Sequence, residues 1–452
     1  MNQKKVKIIR DVVHGYIPLT ASDISIIDTP HFQRLKRIRQ TGASSVYPSA
    51  NHTRFEHSLG VMHLGTRVIN ALDIAPELQE RFRNTVRYAC LLHDIGHAPF
   101  SHIGENFYSQ KELQEQIKRS LQNVGCDSTN FSGKGAKHEL CSCAIALDEY
   151  AQLLKENDVD LDLFCRMITG EKYSVSGKET ENCIIGILSS GVDVDKLDYV
   201  LRDSFMSGAD LISIDLSRLI SAYSIYDNTL AFSGKALSTI SNLIHGRNAL
   251  YMWIYNHHIT VYTDSLLRRL IKYLTNKSPD AWESLFSYNA ISKKLVDDYD
   301  LIGFVRRNKK GGFSERIYEQ LFNRRYYKPL WKTVFDFESI VNSSVRQDKL
   351  IATVGQYRGE DPGLEMLEQR LINNCNDLEV GDFYIAVAQY KPFNPSVDNS
   401  VYIVLNNQIQ RFQQIFQNSI YIKPYSELPY IFVKDNKVRD ILIGKINSGE
   451  LA

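Results

Sequence analysis

A long stretch with helical periodicity is the feature that most constrains the fold of this chain. From about Thr53 to Ala98, apolar residues recur at three- and four-residue spacing, first in FEHSLGVMHLGTRVINAL and again in TVRYACLLHDIGHA. This spacing is typical of amphipathic helices. The same period returns through Glu139 to Leu154, Leu197 to Phe205, Leu216 to Ser224 and Ile240 to Leu274. We therefore predict that most of the first part of the chain, to about residue 300, is α-helical.

The pattern changes after about Ser343. Short runs with alternating or β-branched residues, bounded by Pro and Asn, follow in DFYIAVAQY, SVYIVL, SIYIKPY and PYIFVKD, and such runs are typical of β-strands. At 452 residues the chain also exceeds what one ordinary core holds. We predict a mainly α fold, with a helical-bundle domain over residues 1–342, its motif core at about 50–275, and a smaller α+β C-terminal lobe over 343–452.

Composition narrows the class of protein. The 53 Lys and Arg residues nearly balance 52 Asp and Glu residues, so net charge gives no reason to expect a nucleic-acid or membrane partner. The 7 cysteines form an odd set without a CxxC pair, which argues against a disulfide framework and a structural zinc module. No apolar run is long enough to form a signal core or a bilayer span. The sequence therefore predicts a cytoplasmic protein.

The segment LLHDIGHAPFSH carries the first candidate chemistry. Asp94 directly follows His93 in an apolar stretch, where burying both side chains without partners would cost several kcal/mol. His97 follows four residues later, which predicts that it lies on the same side of a helix as His93. A single His-Asp pair is weak evidence, because most such pairs are capped turns or satisfied core histidines. His57 in RFEHSLG and the acidic run DVDKLDYVLRD strengthen it, since mixed imidazole and carboxylate ligands suit a divalent metal that acidifies a water molecule.

Seven motifs, taken together and in order, resemble those of a known family. They are DVVHGYI, IDTPHFQRLKRIRQTG, RFEHSLGV, LLHDIGHAPFSH, KHEL, DVDKLDYVLRD and HGRNALYMWIY. From about Lys7 to Lys328, the chain resembles the HD-superfamily deoxynucleoside triphosphate triphosphohydrolases. The resemblance implies an HD-domain helical bundle that hydrolyses a dNTP to a deoxynucleoside and tripolyphosphate.

The resemblance also implies which residues carry the reaction. The metal ligands would be His57, His93, Asp94 and Asp195, while Asp193 would support the turn before the last of them. This ligand set leaves Fe, Mn, Zn, Ni and Mg open, and Mg could also accompany the nucleotide. The catalytic set would be His102, Glu105 and His138, with His102 protonating the leaving 5′ oxygen while Glu105 orients its imidazole.

Substrate-binding residues follow from the same motifs. The resemblance places five side chains around the triphosphate: Arg54, His97, Lys196, Tyr199 and Arg247. It assigns the sugar to Gln40, Asp203 and Tyr255, with the Tyr255 ring excluding a 2′-hydroxyl. Tyr251, at a substrate-binding position, and Thr41 differ from the best-known member of the family, which has a histidine and a leucine there. Tyr251 is equally interpreted as a packing aromatic.

A second set of residues matches a family site for an activating nucleotide between subunits. These residues are Lys7, Asp28, Gln33, Lys36, Arg218, Lys235, Arg324 and Lys328. The match implies a GTP or dNTP activator and a homo-oligomer, whether dimer, tetramer or hexamer. Lys36 replaces an arginine and so loses the planar bidentate fork. The alternative interpretation is an ordinary solvated basic helix face.

Two other functions stay open at this level. One is another HD phosphohydrolase activity, either a nucleotidase or a phosphodiesterase that acts on signalling nucleotides or single-stranded nucleic acid. The other is a nucleotide-sensing protein that has kept the pocket without turnover. The residues that would bind a triphosphate favour the dNTP triphosphohydrolase over these two functions, because hydrolysis of a diester needs no such set of residues.

Overall fold

The computed structural model describes residues 6–42, 46–126, 131–357, 363–388, 401–415 and 428–450. Within them the fold is mainly helical, with small sheets, which confirms the predicted class. The α-helices are α1 (Ala21–Ile27), α2 (Pro30–Arg34), α3 (Arg54–Ala71), α4 (Pro76–Leu92), α5 (His102–Glu105), α6 (Gln110–Asn123), α7 (Lys137–Glu156), α8 (Leu161–Thr169), α9 (Glu179–Leu188), α10 (Val194–Ser207), α11 (Leu216–Ile220), α12 (Leu237–Leu250), α13 (His258–Lys277), α14 (Pro279–Phe286), α15 (Tyr288–Ser292), α16 (Asp298–Asn308), α17 (Gly312–Phe322), α18 (Val334–Ile340), α19 (Ser344–Tyr357), α20 (Gly363–Asn373), α21 (Phe412–Ile415) and α22 (Asn436–Ser448).

The strands are short and form three small sheets in the described residues. They are β1 (Lys7–Asp11), β2 (Gly15–Leu19), β3 (Tyr223–Tyr226), β4 (Thr229–Ser233), β5 (Lys328–Pro329), β6 (Phe383–Val387), β7 (Tyr402–Leu405), β8 (Gln408–Arg411) and β9 (Pro429–Val433). Strands β1 and β2 form an antiparallel hairpin, the order β3-β4-β7-β8 makes a mixed sheet, and the order β5-β9-β6 makes an antiparallel one. Three of the predicted strand segments contain β6, β7 and β9, whereas SIYIKPY lies outside the described residues.

Two compact units divide the chain. The first comprises Met1–Leu250, Ser278–Gly303 and Phe393–Ile420, and the second comprises Tyr251–Lys277, Phe304–Pro392 and Tyr421–Ala452. Each unit is thus assembled from three stretches of chain. The boundary that we expected at residue 342 stays a prediction.

Helices α3 and α4 form the centre of the first unit, where they pack against each other and against α10 and α8. Helix α3 begins where the Thr53 N–H donates to Glu56 Oε2 at 3.0 Å, as in a capping box, and α4 begins with Pro76 in its first turn. Along α3, Val61, Leu64 and Val68 are fully buried. Each such side chain contributes about 1.5–3 kcal/mol when it leaves water, so the apolar period fixes these two helices in the core.

The expectation that His93 and His97 share a helix face is wrong. Helix α4 ends at Leu92, His93 is its C-cap residue, and a turn carries the chain to His97. The cause lies in Gly96, whose N–H donates to Ser142 Oγ of α7 at 2.9 Å. A Cβ at Gly96 would lie 2.3 Å from the Ser142 nitrogen, so the turn passes directly against the α7 backbone.

The segment predicted as helical from Leu216 to Ser224 also ends early. Helix α11 stops at Ile220 and β3 begins at Tyr223. Asp227 and Asn228, between β3 and β4, have φ of +46° and +56°, as a two-residue hairpin turn requires. Near the end of this segment the pairing of β3 with β4, and not the helical period, therefore determines the structure.

Within the described residues, no helix combines the length and the apolar character that crossing a bilayer would need.

The close approach at Gly96 gives a stability prediction. Gly96→Ala forces a methyl group into the α7 backbone, and we expect a loss of about 1–3 kcal/mol or more in the free energy of unfolding. The matched control is Gly444→Ala in α22, where a Cβ meets nothing within 4 Å and helix propensity favours alanine by about 1 kcal/mol. Urea unfolding of both variants checks this, and equal stability of the two would contradict it.

Candidate active site

Four predicted metal ligands converge in the first unit. His57 lies on α3, His93 caps α4, Asp94 follows it, and Asp195 lies in the first turn of α10. His57 Nε2 is 3.0 Å from Asp195 Oδ1 and 3.5 Å from Asp94 Oδ2, while His93 Nε2 is 3.3 Å from Asp94 Oδ1 and 3.8 Å from Asp195 Oδ1. His57, His93 and Asp195 offer donor atoms that all lie within 4.8 Å of one another, so they could hold a metal ion.

The two imidazoles are oriented as metal ligands would be. His57 Nδ1 is 2.8 Å from Asp198 Oδ2, and His93 Nδ1 is 2.9 Å from the Cys90 carbonyl. Both contacts require the Nδ1–H tautomer, which leaves the Nε2 lone pairs free. Both Nε2 atoms are buried, and neither has a hydrogen-bond partner among the described residues. Because unsatisfied buried nitrogens are costly, the donor set fits a divalent transition metal.

The charge around His57 supports the same interpretation. Burial lowers the pKa of His57, but the carboxylates of Asp195 and Asp198 outweigh burial and raise the pKa to about 10. Burial raises the pKa of Asp195, and His57 reverses this and lowers it below the usual range. The site therefore stabilises positive charge, whether a proton or a cation carries it.

Asp94 connects this cluster to two further side chains. Arg54 Nη1 donates to Asp94 Oδ2 at 2.8 Å, and Arg54 Nε donates to Ser101 Oγ at 3.0 Å. His97 Nε2 is 3.0 Å from Asp94 Oδ1. Burial raises the pKa of Asp94, but Arg54 and the histidines lower it well below its usual range. Arg54 thus neutralises Asp94 in this structure, and its contact with a triphosphate stays a prediction.

Glu105 contacts three histidines, which are His97, His102 and His138. Its Oε1 lies 2.5 Å from His97 Nδ1, and its Oε2 lies 2.9 Å from His138 Nδ1 and 3.3 Å from His102 Nδ1. These four residues also lie close enough to suggest a metal site. However, the His97 and His138 rings stack 4.1 Å apart at 11°, so their in-plane lone pairs run nearly parallel and do not converge on one ion. The arrangement suits hydrogen bonding and proton transfer instead.

The protonation states of this cluster follow from its burial and charge. Burial raises the pKa of Glu105, but His138 and His102 lower it well below its usual range. Burial lowers the pKa of His138, and Glu105 reverses this and raises it to about 9. Burial and then Arg54 lower the pKa of His97 to about 4. Near neutral pH, His138 is therefore cationic and His97 neutral, while the His102 side chain is 70% exposed and accessible to a substrate.

Lys196 and Arg247 add positive charge beside the metal ligands. Asp193 caps α10 by accepting from the Lys196 N–H at 2.8 Å, and Lys196 Nζ lies 2.6 Å from Asp193 Oδ2. Burial and the nearby charge of Arg247 lower the pKa of Lys196, but the carboxylates of Asp193 and Asp195 outweigh them and raise it above its usual value. Tyr199 lies on the same helix as Lys196. The triphosphate roles of Lys196, Tyr199 and Arg247 stay predictions.

The predicted sugar-reading residues are divided between the units. In the first unit, the Gln40 N–H donates to the His52 carbonyl at 3.2 Å, and Thr41 Oγ1 donates to the Ala50 carbonyl at 3.2 Å. Asp203 Oδ1 is 2.7 Å from His52 Nε2. His52 is a residue that the sequence did not single out.

Tyr251 and Tyr255 belong to the second unit. They lie on a π-helical turn, Tyr251–Tyr255, with their rings edge to face at 5.1 Å. This contact is a packing contact between aromatic rings. The roles of both residues toward a substrate stay predictions.

The predicted activator residues are also divided between the two units. In the first unit, Lys7 lies on β1, Asp28 caps α1, Gln33 Nε2 donates to the Ile27 carbonyl at 2.7 Å, Lys36 Nζ lies 4.5 Å above the Phe55 ring, and Arg218 Nε donates to the Lys235 carbonyl at 2.7 Å. In the second unit, Arg324 lies above the Tyr326 ring and Lys328 lies on β5. Arg218 and Lys235 are in mutual contact, and the activator site as a whole stays a prediction.

Sequence reasoning missed a layer of residues behind His57. Asp198, Arg202, Asp11 and His14 form a buried network that ends on His57 Nδ1. One signal was available. Asp195, Asp198 and Arg202 recur at three- and four-residue spacing in DVDKLDYVLRD, which places them on one face of a helix.

Comparison with known proteins finds two family models that match parts of this chain. Residues 54–126 match the model of the HD domain, and residues 214–354 match that of the HD associated region. The chain therefore contains an HD domain followed by an HD-associated region.

Its relatives carry a more specific name. The chain is 29% identical over 367 residues to the deoxynucleoside triphosphate triphosphohydrolase SAMHD1 homolog of Dictyostelium discoideum, a match covering 78% of this chain and 66% of that protein. It is 32% identical over 282 residues to the deoxynucleoside triphosphate triphosphohydrolase SAMHD1 of Homo sapiens, covering 58% of this chain and 44% of that protein. The matches thus span less than two thirds of these relatives.

A solved structure supports the fold. A phosphohydrolase from Bacteroides thetaiotaomicron aligns with a TM-score of 0.63 at 22% identity, covering 95% of this chain and 100% of that one. The chain therefore shares its fold and is related to proteins named deoxynucleoside triphosphate triphosphohydrolases.

The candidate metal centre leads to a binding prediction. We expect about one Mn²⁺ per chain in equilibrium dialysis of the wild type, and Asp195→Ala to lose most of it because a carboxylate ligand is removed. The control is His31→Gln, since His31 Nε2 contacts the Ser292 carbonyl away from the cluster. Equal metal content in Asp195→Ala and His31→Gln would refute the site.

The Glu105 cluster leads to a pH prediction. NMR titration of metal-free protein should give His138 a pKa of about 9, and Glu105→Gln should lower this pKa because the carboxylate that contributes most to raising it is removed. Since its folded pKa is raised, His138 contributes stability that is complete below pH 6.5 and is lost as pH rises through about 9. A His138 pKa that Glu105→Gln leaves unchanged would contradict this assignment.

Proposed function

We propose that this protein hydrolyses deoxynucleoside triphosphates to deoxynucleosides and tripolyphosphate at a metal centre formed by His57, His93, Asp94 and Asp195. The observation that carries the proposal is the junction of two clusters: His97 Nε2 lies 3.0 Å from Asp94, and His97 Nδ1 lies 2.5 Å from Glu105. A group that can hold a divalent cation thus adjoins a group that can supply a proton. Hydrolysis of a phosphate ester needs both.

The reaction breaks the bond between the α-phosphorus and the 5′ oxygen. Water adds to phosphorus, and a proton reaches the departing oxygen, so that the deoxynucleoside leaves as an alcohol. A divalent metal, when bound, supplies Lewis acidity toward water and phosphate oxygens. His102 is the exposed member of its cluster, and Glu105, 3.3 Å from His102 Nδ1, holds the imidazole so that Nε2 can donate. His102 is therefore the proposed general acid.

The surrounding charge supports a triphosphate substrate. Arg54, Lys196 and Arg247 contribute fixed cations on or beside the metal cluster. Negative charge on the triphosphate oxygens grows in the transition state as water attacks the α-phosphorus, and preorganised cations stabilise this charge. The relatives named deoxynucleoside triphosphate triphosphohydrolases support the same substrate class. Preference for deoxyribose, through Gln40, Asp203 and Tyr255, and activation by GTP or a dNTP in a homo-oligomer are parts of this proposal.

Product analysis tests the proposal. Each dNTP and rNTP is incubated in ¹⁸O-water with Mn²⁺, Fe²⁺ or Mg²⁺, with and without GTP, and the products are identified by mass spectrometry. We expect deoxynucleoside, and tripolyphosphate carrying the ¹⁸O label, because water attacks phosphorus. Nucleoside monophosphate or orthophosphate would instead indicate a nucleotidase or phosphodiesterase. No turnover under any condition would indicate a nucleotide sensor.

Variants in the same assay separate the roles of the two clusters. Asp195→Ala should abolish turnover together with metal binding. His102→Gln should keep the metal and lower kcat by about 10²–10⁴, the usual contribution of a general acid. His31→Gln serves as the control and should keep both properties. Full turnover in His102→Gln would remove this residue from the mechanism.

A further inference from the structure

The turn of the N-terminal hairpin reaches the interior of the first unit. Residues 12–14 form the turn between β1, which ends at Asp11, and β2, which begins at Gly15. Asp11 and Gly15 are paired in the antiparallel register. Asp11 Oδ1 accepts from the backbone N–H groups of Val13 and His14, each at 2.8 Å. These bonds fix the shape of the turn and direct the His14 side chain inward, where it is fully buried.

At the end of this turn, His14 meets Asp198 of α10. His14 Nε2 lies 2.6 Å from Asp198 Oδ1, and both side chains are fully buried. Arg202, one turn further along α10, donates to Asp198 through Nε at 2.9 Å and Nη2 at 3.0 Å, and to Asp11 Oδ2 through Nη1 at 2.8 Å. The turn and the helix are therefore joined by one closed network of charged hydrogen bonds.

The second oxygen of Asp198 faces the proposed metal centre. Asp198 Oδ2 lies 2.8 Å from His57 Nδ1, while His57 Nε2 faces Asp94 and Asp195. A carboxylate on the outer nitrogen of a ligating histidine fixes its tautomer and orientation and raises its basicity. Asp198 therefore has the position of an outer partner to a metal ligand.

The surrounding helix is shaped to admit this network. At Gly60 of α3, a Cβ would lie 1.9 Å from Asp198 Oδ1 and 2.6 Å from Arg202 Nη2. Any larger residue would displace the carboxylate that contacts His57. Burying two aspartates and an arginine costs more than burying apolar residues of similar volume, so stability alone does not account for charges at this place.

We propose that Asp198 positions His57 for metal binding and that the hairpin turn, through His14 and Asp11, holds Asp198 and Arg202 in place. Metal affinity then depends on the docked N-terminal hairpin, although none of its residues contacts the metal. Asp198, His14 and Asp11 are positioning residues. The inference rests on the metal centre of the proposed function, but not on its substrate.

The competing explanation is that this buried network only stabilises the fold. A second buried ion pair near the same hairpin offers a matched control. Just after the hairpin, Asp23 of α1 forms a second buried pair with Arg87 of α4: Arg87 Nε donates to Asp23 Oδ1 at 2.9 Å, and Arg87 Nη2 donates to the Pro18 carbonyl of β2 at 3.2 Å. Both networks tie the hairpin segment to a core helix through a buried arginine. Only the Asp198 network ends on His57.

The test compares Mn²⁺ and Co²⁺ affinity of the full chain, measured by competition with a fluorescent chelator in variants shown to be folded by circular dichroism. Asp198→Asn should weaken binding about 10–100-fold, the usual effect of losing an outer partner. His14→Gln and Asp11→Asn should weaken it by up to about 10-fold. Asp23→Asn should lower Tm while leaving metal affinity within about twofold of wild type.

Several results would overturn the inference. One is an equal loss of metal affinity in Asp23→Asn and His14→Gln, and another is unchanged affinity in both His14→Gln and Asp11→Asn. These two milder variants keep the test decisive if Asp198→Asn does not fold. A wild type that binds metal but hydrolyses no dNTP rejects the proposed substrate and leaves this inference standing, whereas a wild type that binds no metal rejects both.

Discussion

Three carboxylates surround one buried imidazole, and the packing of the elements that carry these side chains depends on how their negative charge is balanced. Asp94, Asp195 and Asp198 all lie within 3.5 Å of a His57 ring nitrogen. Like charges at such distances in a poorly solvated interior repel strongly unless cations accompany them. Arg54 neutralises Asp94 and Arg202 neutralises Asp198, while Asp195 is left to His57 and, under the proposed function, to a divalent cation.

This balance explains why distant segments converge at one place. The hairpin turn supplies His14 and Asp11, α3 supplies His57 and Arg54, the end of α4 supplies Asp94, and α10 supplies Asp195, Asp198 and Arg202. Removal of one partner would leave a buried charge without compensation. The same ionic interactions that hold these elements together therefore orient the ligands, so folding and site assembly are coupled.

Much of the architecture could be predicted from local pattern. The helical class followed from the apolar period, and β6, β7 and β9 followed from β-branched runs. The end of α4 could not be predicted, because His93 lies in a sequence whose period continues to Ala98. What stops the helix is the contact of Gly96 with α7, some 45 residues further along the chain, and local propensity contains no information about that neighbour.

The sequence by itself determined which side chains could carry the chemistry, since His57, the pair His93 and Asp94, and Asp195 stand in recognisable motifs. It also determined the faces of α3 and α10, because helical period is a local property. Only the tertiary structure decided that His14 and Asp11 belong behind His57, and that Glu105 joins three histidines. Such contacts depend on how closely helices approach, which Gly60 and Gly96 permit and which spacing along one chain segment does not specify.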